Sequence, residues 1–245
     1  MQPPRPFYEL GGHFAIDLPG ARAVFTTRRG GYSNGPYSSL NLGAHTDDDL
    51  QVVARNRDAL RAAVGAPPLS FVHQVHGTDV RRATGPTPLP FKHPRADGQV
   101  TDRPGLAPVA LVADCLPIAV AGGGAVAVLH AGWRGLAAGV IPAGVRALRE
   151  LGADGRLGAG IGPGAGPCCY EAGAEVHAAF GDVPGAHRGT HLDLKAIARD
   201  ELQRAGVDSV ADIGICTICS DPGLLFSHRR DAGITGRQAG VAWLT

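Results

Sequence analysis

The chain has 245 residues, 44% hydrophobic and 18% charged, with a formal net charge of +1. That length can bury a full core as one large domain or two small ones, and the composition excludes a disordered chain. The near-zero charge gives no long-range attraction to nucleic acid or to an acidic membrane surface.

The first twenty residues, MQPPRPFYELGGHFAIDLPG, lack the basic start and apolar stretch of a secretory signal. The longest apolar region, 107–129, is interrupted by Asp114, Pro117 and three glycines, short of the ~20 residues a membrane helix needs. A cytoplasmic location is therefore expected. Residues 21–28 read as a strand, followed by a Gly/Ser/Asn loop of the kind that carries binding groups. Asp47–Asp49 can cap a helix over 50–64. Residues 69–75 read as a short strand ending at His76-Gly77. The Pro-rich stretch 83–98 reads as a long surface loop within one domain. Strands follow over 107–121 and 125–130, then a helical stretch over 136–151 kinked at Pro142. The glycine loop GAGIGPGAGPCCYEAG leads to a short helix over 171–180. Asp193 caps a second amphipathic helix, with Leu194, Ile197, Ala198 and Leu202 on one face. Short strands near 212–218, 225–229 and 239–244 close the chain. Strands and helices mix without strict alternation, which predicts an α+β fold of mixed sheets in a single domain over 1–245.

The stretch VADCLPIAVAGGGAVAVLHAGWRG (112–135) is apolar, yet holds an acid, a thiol, an imidazole and a guanidinium. With Gly122-Gly123 as a two-residue turn, Cys115 falls opposite His130 on one face, close enough to share a metal. Moving the turn to Gly123-Gly124 weakens that pairing, and Pro117 favours an edge or bulged strand. A thiolate with an imidazole suits zinc or copper. A third ligand comes from FVHQVHG, where alternation turns only one of His73 and His76 inward; His76, beside Gly77, is the choice. Two other readings fit the same pair: ordinary core residues, or a Cys–His hydrolase with Cys115 as nucleophile and His130 as base, acting on an amide or peptidoglycan-precursor-like substrate.

The motifs TTRRGGYS, SLNLGAH, QVHG, RADG, ADCLPI, HAGWRG, GIGPGAGPCCYE and FSHRRD…TGRQAG occur in this order from residue 26 to 240. Together they resemble the YfiH-type laccase-domain family, also called multicopper polyphenol oxidases and purine nucleoside phosphorylases. The resemblance implies one compact domain of layered sheets and helices (αββα-like) and a zinc held by His76, Cys115 and His130, with copper as the other metal. It also implies phosphorolysis of adenosine, inosine or methylthioadenosine, with adenosine deamination as a second activity.

A copper-dependent polyphenol oxidase needs several copper sites, and the ten histidines are scattered with no His-x-His. A zinc-activated water suits removal of a purine amino group, but the usual His-x-Glu of deaminases is absent. Asp114 is a weak substitute, since alternation turns it away from Cys115. Phosphorolysis needs an anion site, for which Arg134, just before a helix, is the first candidate. Arg28, Arg229 and Arg230 are further cations, and Asn41 and, more weakly, His45 could contact the nucleoside. Cys115, His130 and Arg134 are thus the expected catalytic residues, and Asn41, Arg28 and Arg134 the substrate-binding ones. Tyr170 reads as core more readily than as a purine stack. Five cysteines are too few and odd in number for a disulfide scaffold. Cys168, Cys169, Cys216 and Cys219 read as buried or incidental, because vicinal cysteines are awkward joint ligands. The expected partners are a purine nucleoside and phosphate, with no nucleic acid or membrane, and the protein is expected to be a monomer.

Overall fold

Alternation along the central hairpin organises the layers. A computed structural model describes residues 2–89, 93–181 and 183–245. In chain order the strands and helices are β1 (Tyr8–Leu10), β2 (His13–Leu18), β3 (Ala21–Phe25), α1 (Leu50–Val64), β4 (Leu69–Ser70), β5 (Val80–Arg82), β6 (Gly98–Thr101) and β7 (Ala107–Val112). Then come β8 (Leu116–Gly122), β9 (Ala125–Ala131), α2 (Trp133–Ala138), α3 (Val140–Glu150), β10 (Gly158–Ile161), α4 (Ala174–Ala178), β11 (His187–Arg188), β12 (His191–Leu192), α5 (Leu194–Arg204), β13 (Ser209–Asp212) and β14 (Gln238–Leu244).

Two six-stranded sheets result, one ordered β1-β2-β3-β14-β7-β4 and the other β13-β10-β8-β9-β6-β5. Both mix parallel and antiparallel neighbours. On β8 and β9, Ala119, Ala121, Val126 and Val128 face Phe14, Ile16 and Phe25 of the first sheet. Their alternates Ile118, Val120, Ala127 and Leu129 pack with Ile141, Leu148, Ile197 and Leu202 of α3 and α5. Leu60 and Val64 of α1 cover the outer face of the first sheet. The result is one compact α+β domain layered helix, sheet, sheet, helix, as expected.

Several expectations change. The stretch 107–121 is two strands, not one: β7 lies in the first sheet and β8 in the second, and the chain crosses between them at residues 113–115. The hairpin turn is Gly123-Gly124, both at positive φ, so His130 pairs with Pro117 and Gly122 with Ala125. Pro117 sits in a central strand. Its carbonyl accepts Gly162 N–H just past the β10 ladder, so its missing donor interrupts no ladder bond. The helix after β9 breaks at Gly139 (φ 91) rather than at Pro142, which stands in the first turn of α3, where a missing N–H costs little. No regular strand forms over 213–237. The loop over 83–98 is present, although residues 90–92 of it lie outside the described residues. No helix among the described residues is long and apolar enough to cross a membrane.

Candidate metal centre

The crossing between sheets builds the site. Cys115 immediately precedes β8 and His130 lies one residue from the end of β9, so both sit at the same end of the hairpin. The register is two residues away from the expected one. A shift of two keeps every side chain on its face, so Cys115 and His130 meet diagonally instead of directly opposite. Gly132 occupies the place opposite Cys115, and a Cβ there would lie 2.9 Å from Cys115 Sγ and 3.0 Å from His76 Cδ2.

His76 arrives by a different route from the one alternation predicts. Beyond β4 the chain is irregular, and His76 takes φ 61, a conformation uncommon outside glycine. Asp97 holds it there. The buried carboxylate accepts N–H bonds from Val75 (3.1 Å), His76 (2.8 Å) and Gly77 (2.7 Å), and from His130 Nδ1 (2.8 Å). The last bond leaves His130 Nε2 to face the site. One potential ligand atom each from His76, Cys115 and His130 lies within 4.8 Å of the others, with Cys115 Sγ 3.8 Å from His76 Nε2.

Burial raises the Cys115 thiol, but the adjacent His130 and His76 imidazoles outweigh it and bring the pKa down to about 6. Burial lowers His130, but Cys115 and Asp97 outweigh it in turn and raise the pKa to about 9. The pair thus favours thiolate beside imidazolium, the ionised sulfur being the form that binds a metal. Two imidazoles and one thiolate, with one ring oriented by a carboxylate, fit a three-ligand zinc site with an open position. The space that Gly132 leaves is consistent with that fit.

A cavity of about 430 Å³ opens on this cluster, within the range of small-ligand sites. Arg134, Arg229 and Arg237 line it. Arg134 is exposed and stacked on Trp133, with its guanidinium carbon 4.4 Å from the ring centroid. Arg229 lies 4.3 Å over Tyr170, another wall residue. His45 and His73 also line the cavity, with Nε2 and Nδ1 3.3 Å apart. His73 and His76 therefore both reach it, against the alternation argument.

Two expected binding residues are not among those lining the cavity. Arg28 donates to the carbonyls of Ser38, Pro222 (2.9 Å) and Pro36 (3.3 Å) and stacks on Phe226. Buried Asn41 ties its own loop: it donates to Thr46 and Asp48 and accepts from Gly43 and Arg237 N–H. Asp114 is buried at φ 86 and accepts from Thr217 Oγ1 (2.6 Å) and Arg229 N–H (2.8 Å). It anchors the wall of the cavity. Asp97 and Arg237 were missed as site residues, although both stand in motifs noted above, RADG and TGRQAG.

Fold and cluster together define a class: a mixed-sheet α+β protein with two histidines and a cysteine gathered where the chain changes sheets. The chain belongs to the family described as multi-copper polyphenol oxidoreductase laccase, whose model matches residues 22–245. A Pseudomonas aeruginosa protein named purine nucleoside phosphorylase is 41% identical over 235 residues, 91% of this chain and 93% of the relative. The Escherichia coli purine nucleoside phosphorylase YfiH is 38% identical over 236 residues, covering 92% and 94%. The crystal structure of the Bacillus licheniformis hypothetical protein YfiH superposes with a TM-score of 0.88 at 30% identity, covering 99% of this chain and all of the other.

Proposed function

We propose that this cavity is the site of a zinc-dependent purine nucleoside phosphorylase, with His76, Cys115 and His130 as metal ligands. The observation that carries the reading is the placement of Arg134, Arg229 and Arg237 around one cavity with the cluster at its wall. An anion and an uncharged ligand can thus be held side by side. In phosphorolysis a phosphate oxygen bonds to the ribose C1′, the bond from C1′ to the purine nitrogen breaks, and the base leaves with that electron pair and takes up a proton. The arginines hold phosphate by paired N–H donors. Tyr170 under Arg229 offers an aromatic face, and the His45–His73 pair supplies imidazoles able to move a proton. A bound zinc would supply Lewis-acid stabilisation of developing negative charge. Arg28 and Asn41 enter this reading as residues that shape the neighbouring loops.

Incubating zinc-loaded protein with adenosine, with and without phosphate, tests the reading. Adenine and ribose-1-phosphate formed only with phosphate are expected, and Cys115→Ala should lower the rate at least ~100-fold. Inosine as product would show deamination instead, and no product from adenosine, inosine or methylthioadenosine would end the proposal. A thiol hydrolase is the second reading, because Asp97 orients His130 beside Cys115 in the order of a nucleophile–base–carboxylate triad. It requires activity that survives chelation and dies on thiol alkylation. Among the described residues no further group containing histidine gathers three or more such ligands, which leaves a multi-copper oxidase reading without geometric support.

A further inference from the structure

The other four cysteines also converge. One sulfur from each of Cys168, Cys169, Cys216 and Cys219 lies within 4.8 Å of every other, and Cys168 Sγ is 3.5 Å from Cys219 Sγ. Four thiolates around zinc at ~2.3 Å stand about 3.8 Å apart, so the spread suits one ion. Both segments are turns. Cys169 and Tyr170 N–H return to the Gly166 carbonyl, and Ser220 N–H returns to that of Cys216. A helical turn rotates successive side chains by ~100°, which removes the expected difficulty with vicinal ligands.

The backbone supplies a donor to one of the four sulfurs. Gly166 N–H donates to Cys216 Sγ at 3.2 Å. Backbone donors aimed at sulfur favour its charged form. The buried Lys195 ammonium near this segment donates to the Ile215 carbonyl (2.7 Å) and lies 3.9 Å from Asp212.

We infer that Cys168, Cys169, Cys216 and Cys219 form a second, structural zinc site. It clips the glycine loop to the irregular segment 213–237. Each half of the clip adjoins a cavity-wall contact: Tyr170 follows Cys169, and Thr217, which holds Asp114, follows Cys216. The site fixes the wall without touching substrate.

The test uses the full chain carrying Cys115→Ala, so its outcome is independent of the other cluster. Purified with zinc, this variant is expected to retain one equivalent. With cobalt in place of zinc it should show the intense visible absorption of a tetrathiolate centre. Adding Cys216→Ser and Cys219→Ser should abolish both. Removing a clip can unfold a chain, so Cys219→His is the companion variant: it keeps four ligands and should retain the metal while moving the cobalt bands to shorter wavelength. Less than half an equivalent after zinc saturation of folded Cys115→Ala protein would overturn the site. So would a disulfide among the four cysteines after reducing purification, or a cobalt spectrum that Cys219→His leaves unmoved.

Discussion

Asp97 touches none of the sulfur and nitrogen atoms that face the cavity, yet it positions two of the three proposed ligands. Its carboxylate receives three consecutive N–H groups around His76 and one ring nitrogen of His130. A left-handed non-glycine residue stores strain of ~1 kcal/mol or more, and these three bonds hold His76 in that conformation. Asp97→Asn replaces one acceptor oxygen with an NH₂ directed at backbone donors. Metal affinity of the His76–Cys115–His130 cluster should fall ~10- to 100-fold, measured by competition with a chelator while circular dichroism confirms an intact fold. Unchanged affinity would show that ring orientation and the His76 turn survive without the carboxylate.

On α3, Gly144 faces β9 at Leu129. A Cβ at Gly144 would lie 2.5 and 2.6 Å from the Leu129 methyl carbons, so the missing side chain sets how closely helix and sheet approach. In an exposed helix Gly→Ala gains about 1 kcal/mol, but here overpacking costs ~1–3 kcal/mol. Gly144→Ala should therefore destabilise the protein by ~1 kcal/mol or more in a denaturant titration, and a gain would mean α3 shifts freely. Sequence pattern reveals that such helices exist: Asp49 and Asp193 cap α1 and α5 as read, accepting from Gln51 N–H and from Lys195 and Ala196 N–H. The same reasoning fails where tertiary contacts decide. An apolar run cannot show that Ala113–Cys115 crosses between sheets, and three glycines in a row leave the turn undecided by one residue. Cys115 and His130 still came out on one face, because moving a hairpin turn by one residue changes pairing by two. Asp97 was illegible as a positioning group, since a lone Asp-Gly before a strand reads as a turn. Arg28 and Asn41 carry the chemistry of binding residues, but sequence does not disclose the backbone groups that engage them.

Two titrating groups, buried His13 on the first sheet and half-buried Glu201 on a helix packed against the second, link stability of the whole molecule to pH in opposite directions. Burial lowers His13 of β2 to about 4, while its Nδ1 accepts Thr27 N–H at 3.2 Å. The unfolded chain binds a proton at this residue from about pH 6.5 downward, so the folded state loses stability as pH falls from 6.5 to 4. At ~1.4 kcal/mol per pKa unit the loss is on the order of 3 kcal/mol. Glu201 of α5, which packs on the second sheet, is raised to about 7 by burial and by Asp200. Its Oε2 is buried without a hydrogen-bond partner. The folded state keeps this proton after the unfolded state has lost it, so the contribution is present below pH 4.5 and disappears as pH rises to 7. The two slopes oppose each other between pH 4.5 and 6.5 and flatten the native profile there. Glu201→Gln removes the falling limb only. Relative to the native chain it should gain stability as pH rises from 4.5 to 7, levelling at ~1–2 kcal/mol after allowance for partial solvent screening. Its own profile should then rise with pH across the His13 window. Denaturant titrations at half-unit pH steps measure both curves. A stability difference that does not vary with pH would mean Glu201 ionises normally in the folded state. Separate transitions for the two titrations would mean that the sheets do not unfold as one cooperative unit, although Ala119, Val128 and Phe25 share a core between them.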